Sequence, residues 1–140
     1  KNAILDNFEE SHIVIKSAAV ADYKIKNYSN EKIKKGEGDL TLTFVRDNDI
    51  LKILGEKKNN QILVGFAAES NNVVENAKKK LERKNLDYIV ANDITSADTG
   101  FGSDDNKVII ISKGGEEIYL DKMSKKEVAS KIFETILGKR

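Results

Sequence analysis

Two groups of cationic side chains carry most of the chemistry this sequence can offer. Lys32, Lys34 and Lys35 flank Ile33 and are followed by Gly36 and Gly38. Ammonium groups on a glycine-containing segment suit a lid that closes over phosphates, and they equally suit a solvated loop. The second group is Lys78, Lys79, Lys80, Arg83 and Lys84, with Glu82 among them. Lys80 and Lys84 are four residues apart, so on a helix they share one face and both reach a single polyphosphate. A solvated helix face and a nucleic-acid patch are the alternatives. No Walker-type loop and no dinucleotide glycine fingerprint after a strand accompanies either group.

Further candidates stand where predicted strands end. Ser17-Ala18-Ala19-Val20-Ala21 is a run of mostly small residues that lets a flat group or a phosphate approach the backbone, or lets a helix pack closely. Asp22, directly after it, is either a turn residue or a ligand for a hydroxyl or a metal. Gly65 permits close backbone approach, and Phe66 either stacks on a base or fills the core. Ala91-Asn92-Asp93 leads to the Gly/Asp stretch 99–106, whose spacing is not that of a calcium loop. His12 opens a strand and reads as a packed or surface residue.

Composition narrows the options. The 140 residues hold no Cys and one His, which excludes thiolate nucleophiles, iron–sulfur clusters and thiolate or two-His zinc sites. Lys plus Arg number 24 against 23 Asp plus Glu, a formal charge of +1, which argues against a general polyanion binder. The longest apolar runs, such as Val108-Ile109-Ile110-Ile111, are far shorter than a membrane span, and no signal-peptide pattern opens the chain. A soluble cytoplasmic chain with no membrane partner is expected. The start Lys1-Asn2-Ala3, without Met, reads as a fragment of something longer.

The elements that must position these residues follow from periodicity. Residues 2–9 carry Ile4, Leu5 and Phe8 at helical spacing, and His12 to Ile15 is a short strand. Residues 24–39 read as a long loop, and Leu40 to Val45 as a strand. Asp47 or Asn48 caps a helix bearing Ile50, Leu51, Ile53 and Leu54, closed by Gly55 or by the charged run after it. Ile62 to Ala68 is a nearly continuous apolar strand of the kind buried on both faces. Ser70 or Asn71 caps a helix to about Lys84, with Val73, Val74, Ala77 and Leu81 inward. Tyr88 to Asn92 is the next strand. Val108 to Ser112 and Glu117 to Leu120 flank the turn Lys113-Gly114-Gly115. Ser124 and Glu127 form a capping box for a last helix that buries Val128, Ile132, Phe133, Ile136 and Leu137. The alternation predicts an α/β fold, a three-layer Rossmann-like sandwich with a mostly parallel sheet and an antiparallel edge hairpin.

Taken in order, Ala18 to Tyr23, Lys32 to Lys35, Asn48 to Leu51, Val64 to Glu69, Lys84 to Asp87, Ala91 to Asp93 and Gly100 to Asp104 resemble one family. It is the synthetase domain of bacterial bifunctional phosphopantothenoylcysteine decarboxylase/phosphopantothenate–cysteine ligases, flavoproteins of coenzyme A biosynthesis. The resemblance covers nearly the whole chain. It implies a CTP-dependent ligase in which the carboxylate of 4′-phosphopantothenate attacks the α-phosphate of CTP, pyrophosphate leaves, and cysteine displaces CMP from the acyl-cytidylate. By motif position it implies nucleotide contacts at Asp22, Lys32, Phe66, Lys80 and Lys84, at the backbone of Lys16, Ser17 and Ala18, and at the turn Asn48, Asp49, Ile50 and Leu51. Asn48 stands where the family often has Pro, a change that a backbone contact survives. Lys32 would close over the reacting acyl phosphate. Mg²⁺ would accompany the triphosphate, with no protein ligand assigned to it, and a homodimer is implied. The family's glycine-rich N-terminal strand–turn–helix and its flavin-binding decarboxylase domain are not in this sequence, so residues 1–140 read as the C-terminal portion of the synthetase domain.

Overall fold

The structure is a computed structural model that describes residues 1–34, 38–93 and 105–138. Its elements are α1 (Asn2–Phe8), β1 (Ile13–Lys16), β2 (Tyr23–Ile25), β3 (Phe44–Arg46), α2 (Ile50–Lys57), β4 (Ile62–Glu69), α3 (Val73–Arg83), β5 (Tyr88–Asp93), β6 (Asp105–Ser112), β7 (Glu117–Ser124) and α4 (Lys125–Leu137). Five strands form one sheet in the order β1-β4-β5-β6-β7. β1, β4 and β5 are parallel, and β6 runs antiparallel to both β5 and β7.

The apolar run of β4 serves both faces, as its lack of alternation predicts. Leu63 and Ala67 join Phe8 of α1, Leu51 and Leu54 of α2, and Ala77 and Leu81 of α3 in one core. Val64 joins Val90, Val108, Ile110 and Leu120 under Val128, Ile132 and Ile136 of α4 in a second. Helices therefore cover both faces, and the three-layer α/β reading holds. Gly65 is where a side chain would not fit: a Cβ there would lie 2.8 Å from Leu86 Cδ1 and 2.9 Å from Leu51 Cδ1. The close approach it permits is that of α2 and the β5-leading turn to the sheet.

Several local expectations are corrected. The strand expected over residues 40–45 is only Phe44–Arg46, and it stays outside the main sheet. It pairs antiparallel with β2, inside what read as loop, to form a separate ribbon extended by the Lys26 N–H to Thr43 carbonyl bond of 2.8 Å. Alternating Leu40, Leu42 and Phe44 signal an extended segment with one apolar side; they do not say which sheet receives it. Asp49, not Asp47 or Asn48, caps α2, accepting from the Lys52 N–H at 3.2 Å. Asp47 instead accepts from the Asn48 N–H and from Lys24 Nζ, both at 2.9 Å. The helix passes through Gly55 and ends in the charged run at Lys57. At α3 the N-cap is Asn72, at φ 43°, not Ser70 or Asn71. The capping box Ser124–Glu127 forms as expected, but Phe133 and Leu137 are 47% and 48% exposed. They lie about 100° round the helix from the Val128–Ile132–Ile136 stripe, beyond the part of α4 that faces β6 and β7.

The amino end of the parallel pair is pinned by charge. Asp87 accepts from the Leu63 N–H at 2.7 Å and from Lys58 Nζ at 2.8 Å, and Lys58 is nearly buried. This pair fixes β4 beside β5 before either strand reaches its carboxyl end.

Candidate functional site

The parallel strands β1, β4 and β5 all end at one edge of the sheet, the place where open α/β folds bind ligands. α2 and α3 lie on the same face, packed through the core that contains Leu51, Leu54, Ala77 and Leu81. Two lysines of α3 project along their junction. Lys84 Nζ lies 3.0 Å from Oδ2 of Asp49, the α2 cap, and Lys80 Nζ lies 2.6 Å from Oε1 of Glu69, the last residue of β4. Helical side chains lean toward their own N-terminus, so both ammonium groups are drawn toward the carboxyl edge of the sheet.

What holds α2 at this place is backbone contact. A Cβ on Gly55 would stand 1.9 Å from the Lys84 carbonyl oxygen, and Asn85 Nδ2 donates to the Gly55 carbonyl at 2.9 Å. Asn85 adopts φ 50°, turning the chain sharply from α3 toward the fully buried Leu86 and then Asp87. The run Lys84 to Asp87 thus seats α2, fills the core and clamps β4, while Lys84 alone points to the site.

Electrostatics at the junction are balanced. Burial pushes the Asp49 carboxyl up, but the Lys84 ammonium, the Lys52 N–H and Arg83 outweigh it and hold the group below the usual carboxylate range. The remaining lysines of the run are paired too, Lys78 with Glu117 at 2.6 Å and Lys79 with Glu75 at 2.6 Å. Lys78 is raised above the ordinary lysine value by its hydrogen bond to Glu117. Lys78, Lys79, Lys80 and Lys84 therefore each face a carboxylate, and α3 does not present a bare cationic stripe.

The other predicted residues fall in three places. Ser17 and Ala18 follow β1 in an exposed segment, where Lys16 Nζ donates to the Ala18 carbonyl at 3.0 Å. Asp22 stands at the root of the ribbon, its carbonyl accepting from the Asp47 N–H at 2.8 Å, and Lys24 and Asp47 pair across the ribbon at 2.9 Å. The Lys24 ammonium and the Asn48 N–H lower the Asp47 carboxyl below the usual range. Ile50 and Leu51 open the first turn of α2, whose free N–H groups favour anions, while Asn48 lies before the Asp49 cap with its N–H donating to Asp47 Oδ1. Lys32 is exposed between β2 and β3 and makes no ion pair among the described residues. Phe66 points to the α4 face, packed against the Val64–Val90 core, on the side of the sheet opposite Lys80 and Lys84. Lys35, Gly36 and residues 99–104 lie outside the described residues. His12 is exposed.

Glu69 is the residue that the sequence reading did not single out. Its signal was there, a carboxylate directly after an apolar strand, the same signal that drew attention to Asp22. A shallow cavity between α3 and the β6–β7 turn, lined by Lys78, Glu82, Asn85 and Lys113 among others, includes none of the predicted nucleotide-contacting residues. No group of three or more His, Cys, Asp or Glu suited to a metal occurs among the described residues, and no described helix is long and apolar enough to cross a membrane.

The sequence and the fold have counterparts among known proteins. The sequence profile of the DNA/pantothenate metabolism flavoprotein C-terminal domain matches residues 1–139. The coenzyme A biosynthesis bifunctional protein CoaBC of Bacillus subtilis (strain 168) is 49% identical over 136 residues, covering 97% of this chain and 34% of that protein. A cysteine/cysteine sulfinic acid decarboxylase from an unknown prokaryotic organism is 41% identical over 138 residues, covering 98% of this chain and 38% of that protein. The crystal structure of the C-terminal domain of a coenzyme A biosynthesis bifunctional protein CoaBC superposes with a TM-score of 0.77 at 41% identity, over 96% of this chain and 58% of that one. The chain spans about a third of the length of the curated relatives it matches.

Proposed function

The chain belongs to the DNA/pantothenate metabolism flavoprotein C-terminal domain family, and from that membership we propose that it carries the nucleotide-binding part of a phosphopantothenate–cysteine ligase. The observation that carries the reading is the pair Lys80 and Lys84, one helical turn apart and met by the capped N-terminus of α2 beside the carboxyl end of β4. A polyphosphate needs cations and backbone donors in one place, and this junction supplies both.

In the proposed reaction a carboxylate oxygen of 4′-phosphopantothenate attacks the α-phosphorus of CTP. The bond to the β-phosphate oxygen breaks and pyrophosphate departs. The cysteine amine then attacks the acyl carbon, the acyl–phosphate bond breaks, and CMP departs. Phosphoryl chemistry of this kind asks for positioning and charge stabilisation more than for covalent help, so a chain with no thiol and one imidazole suffices. Lys80 and Lys84 exchange their carboxylate partners for phosphate oxygens. The free first-turn amides of α2, at Ile50 and Leu51, take a second set, beside the turn at Asn48 and Asp49. The backbone of Lys16, Ser17 and Ala18, together with Asp22, holds the nucleoside from the β1 side, and Phe66 reaches it only from the α4 face of β4, across the sheet edge from Lys80 and Lys84. Lys32 swings from the ribbon over the acyl phosphate. Magnesium, when bound, neutralises phosphate charge.

The substrates are small soluble molecules, and the reaction is read as cytoplasmic. A homodimer is part of the reading. Tyr23, Ile25, Leu42 and Phe44 leave an apolar surface on a two-stranded ribbon, and such ribbons are marginal in water without a further partner. The rival reading, a nucleic-acid module working through Lys78 to Lys84, is weakened by the carboxylate that each of the four paired lysines already faces.

A thermal-shift panel of CTP, ATP, GTP and NAD with Mg²⁺ tests the reading. Selective stabilisation by CTP is expected. Equal response to every nucleotide, or oligonucleotide binding that falls steeply with salt, overturns it.

A further inference from the structure

Glu69 is the nearly buried carboxylate at the site edge for which the proposed chemistry has no task. Its side chain is 12% exposed at the carboxyl end of β4. Lys80 Nζ lies 2.6 Å from Oε1 as an ion pair, and Oε1 is shut from solvent with no other partner among the described residues. Oε2 receives only a long contact of 3.5 Å from Asn76 Nδ2, whose better bond, 3.0 Å, goes to the Asn71 carbonyl.

A carboxylate this buried tolerates the folded state because an ammonium sits against it. The ligase reading, on which this inference rests, takes that ammonium away: Lys80 turns to the polyphosphate. Glu69 is then left uncompensated beside the reacting groups, and another cation must replace Lys80. Lys80 itself shows what fits, a primary alkylammonium within contact distance of Oε1. Only one substrate of the proposed reaction carries such a group, the amino acid that attacks the acyl-cytidylate.

We infer that Glu69 is the anchor of an amine subsite, which binds the ammonium of the amino-acid substrate once the nucleotide has drawn Lys80 off. The carboxylate receives the ammonium, one proton of which then passes to solvent water, and the freed amine attacks the acyl carbon as CMP leaves. Nucleotide occupancy thereby opens the place for the amine, and an empty nucleotide site keeps it filled by Lys80.

The test uses the full-length protein, wild type against Glu69→Gln and Glu69→Asp, with three readouts. These are pyrophosphate release from CTP and 4′-phosphopantothenate without amine, the KM for cysteine, and trapping of the acyl-cytidylate by hydroxylamine, which is uncharged at neutral pH. Glu69→Gln is expected to raise the KM for cysteine about tenfold or more, the scale of one lost charge-assisted contact, with pyrophosphate release and hydroxylamine trapping retained. Glu69→Asp is expected to recover part of the loss. An unchanged KM for cysteine overturns the inference while the ligase reading stands. Equal losses in pyrophosphate release and hydroxylamine trapping also overturn it, and place Glu69 with the nucleotide or its metal. A wild-type protein that releases no pyrophosphate removes the ligase reading and the amine subsite with it.

Discussion

Asp49 serves two helices with one carboxylate: Oδ1 accepts from the Lys52 N–H at 3.2 Å and caps α2, while Oδ2 lies 3.0 Å from Lys84 Nζ on α3. The cap keeps the first turn of α2 in place. The ion pair sets where that turn stands relative to the lysine face. Local helix termination and the geometry of the junction therefore depend on the same residue.

The two roles separate by substitution and by pH. Asn caps as well as Asp, so Asp49→Asn keeps the cap and loses the pair, whereas Asp49→Ala loses both and costs about 1 kcal/mol more. The native carboxyl titrates below its unfolded value of about 3.9, so its pair contributes fully above that value and is lost as the pH falls through the lowered native one. Asp49 is well exposed and the pair is screened, so the wild type should melt only about 1–3 °C above Asp49→Asn at neutral pH. That gap should close on acidification below the ordinary carboxylate range. Melting curves of the three proteins from neutral pH downward check this, and a gap that persists in acid would deny the pair its role.

Gly55 tests the seating of α2. A methyl group there meets the Lys84 carbonyl oxygen at 1.9 Å and its carbon at 2.8 Å, backbone atoms that cannot step aside. Gly55→Ala should cost about 1–3 kcal/mol despite the better helix propensity of Ala. Gly38→Ala, with nothing within 4 Å of the new methyl, should leave the melting temperature unchanged. Urea unfolding of both variants gives the comparison.

Lys80 and Lys84 should both act on nucleotide binding, but they differ in their effect on folding. Lys84 pairs with the exposed Asp49, so Lys84→Met costs little stability, whereas Lys80→Met strips the cation from the nearly buried Glu69 and should lower the melting temperature as well. Each lost phosphate contact is worth about 1.5–3 kcal/mol, so the KM for CTP should rise about tenfold or more in each variant. Initial-rate measurements over a CTP range, with melting curves as the folding control, decide it.

The sheet was legible because Ile62 to Ala68 and Val108 to Ile111 are continuous apolar runs of strand length, and the Ser124–Glu127 box fixed the last helix to the residue. Cap positions slipped because Asp47, Asn48 and Asp49 can each cap, as can Ser70, Asn71 and Asn72; which one does depends on where the helix packs. The ribbon was lost for a tertiary reason: Tyr23 to Ile25 is too short to register alone, and its partner lies about twenty residues on. Glu69 escaped notice because its meaning comes from Lys80 on the next element. Phe66 shows the converse, an aromatic at a motif position whose side chain the fold turns to the α4 core.

Two exposed apolar patches make different predictions about assembly. Phe44 on the ribbon is 57% exposed beside Tyr23 and Leu42, and Phe133 on α4 is exposed beside Leu137. The homodimer reading puts the partner on the ribbon, so Phe44→Asp should yield a folded monomer by sedimentation, whereas Phe133→Ser should leave the dimer intact. Dissociation by Phe133→Ser alone would move the interface to α4.

Lys32 decides whether the segment between β2 and β3 takes part in chemistry. It makes no ion pair among the described residues, so its ammonium costs no existing contact when it moves to a ligand. If it neutralises charge on the acyl phosphate, its effect is confined to the transition state. Lys32→Gln should then lower turnover by about 10²–10³, the loss seen when one such donor is removed, with the melting temperature unchanged and little change in the KM for CTP. The measurement is the rate of pyrophosphate release at saturating CTP in the full-length protein. A fall of less than about threefold would take Lys32 out of the mechanism and return its segment to a solvated loop.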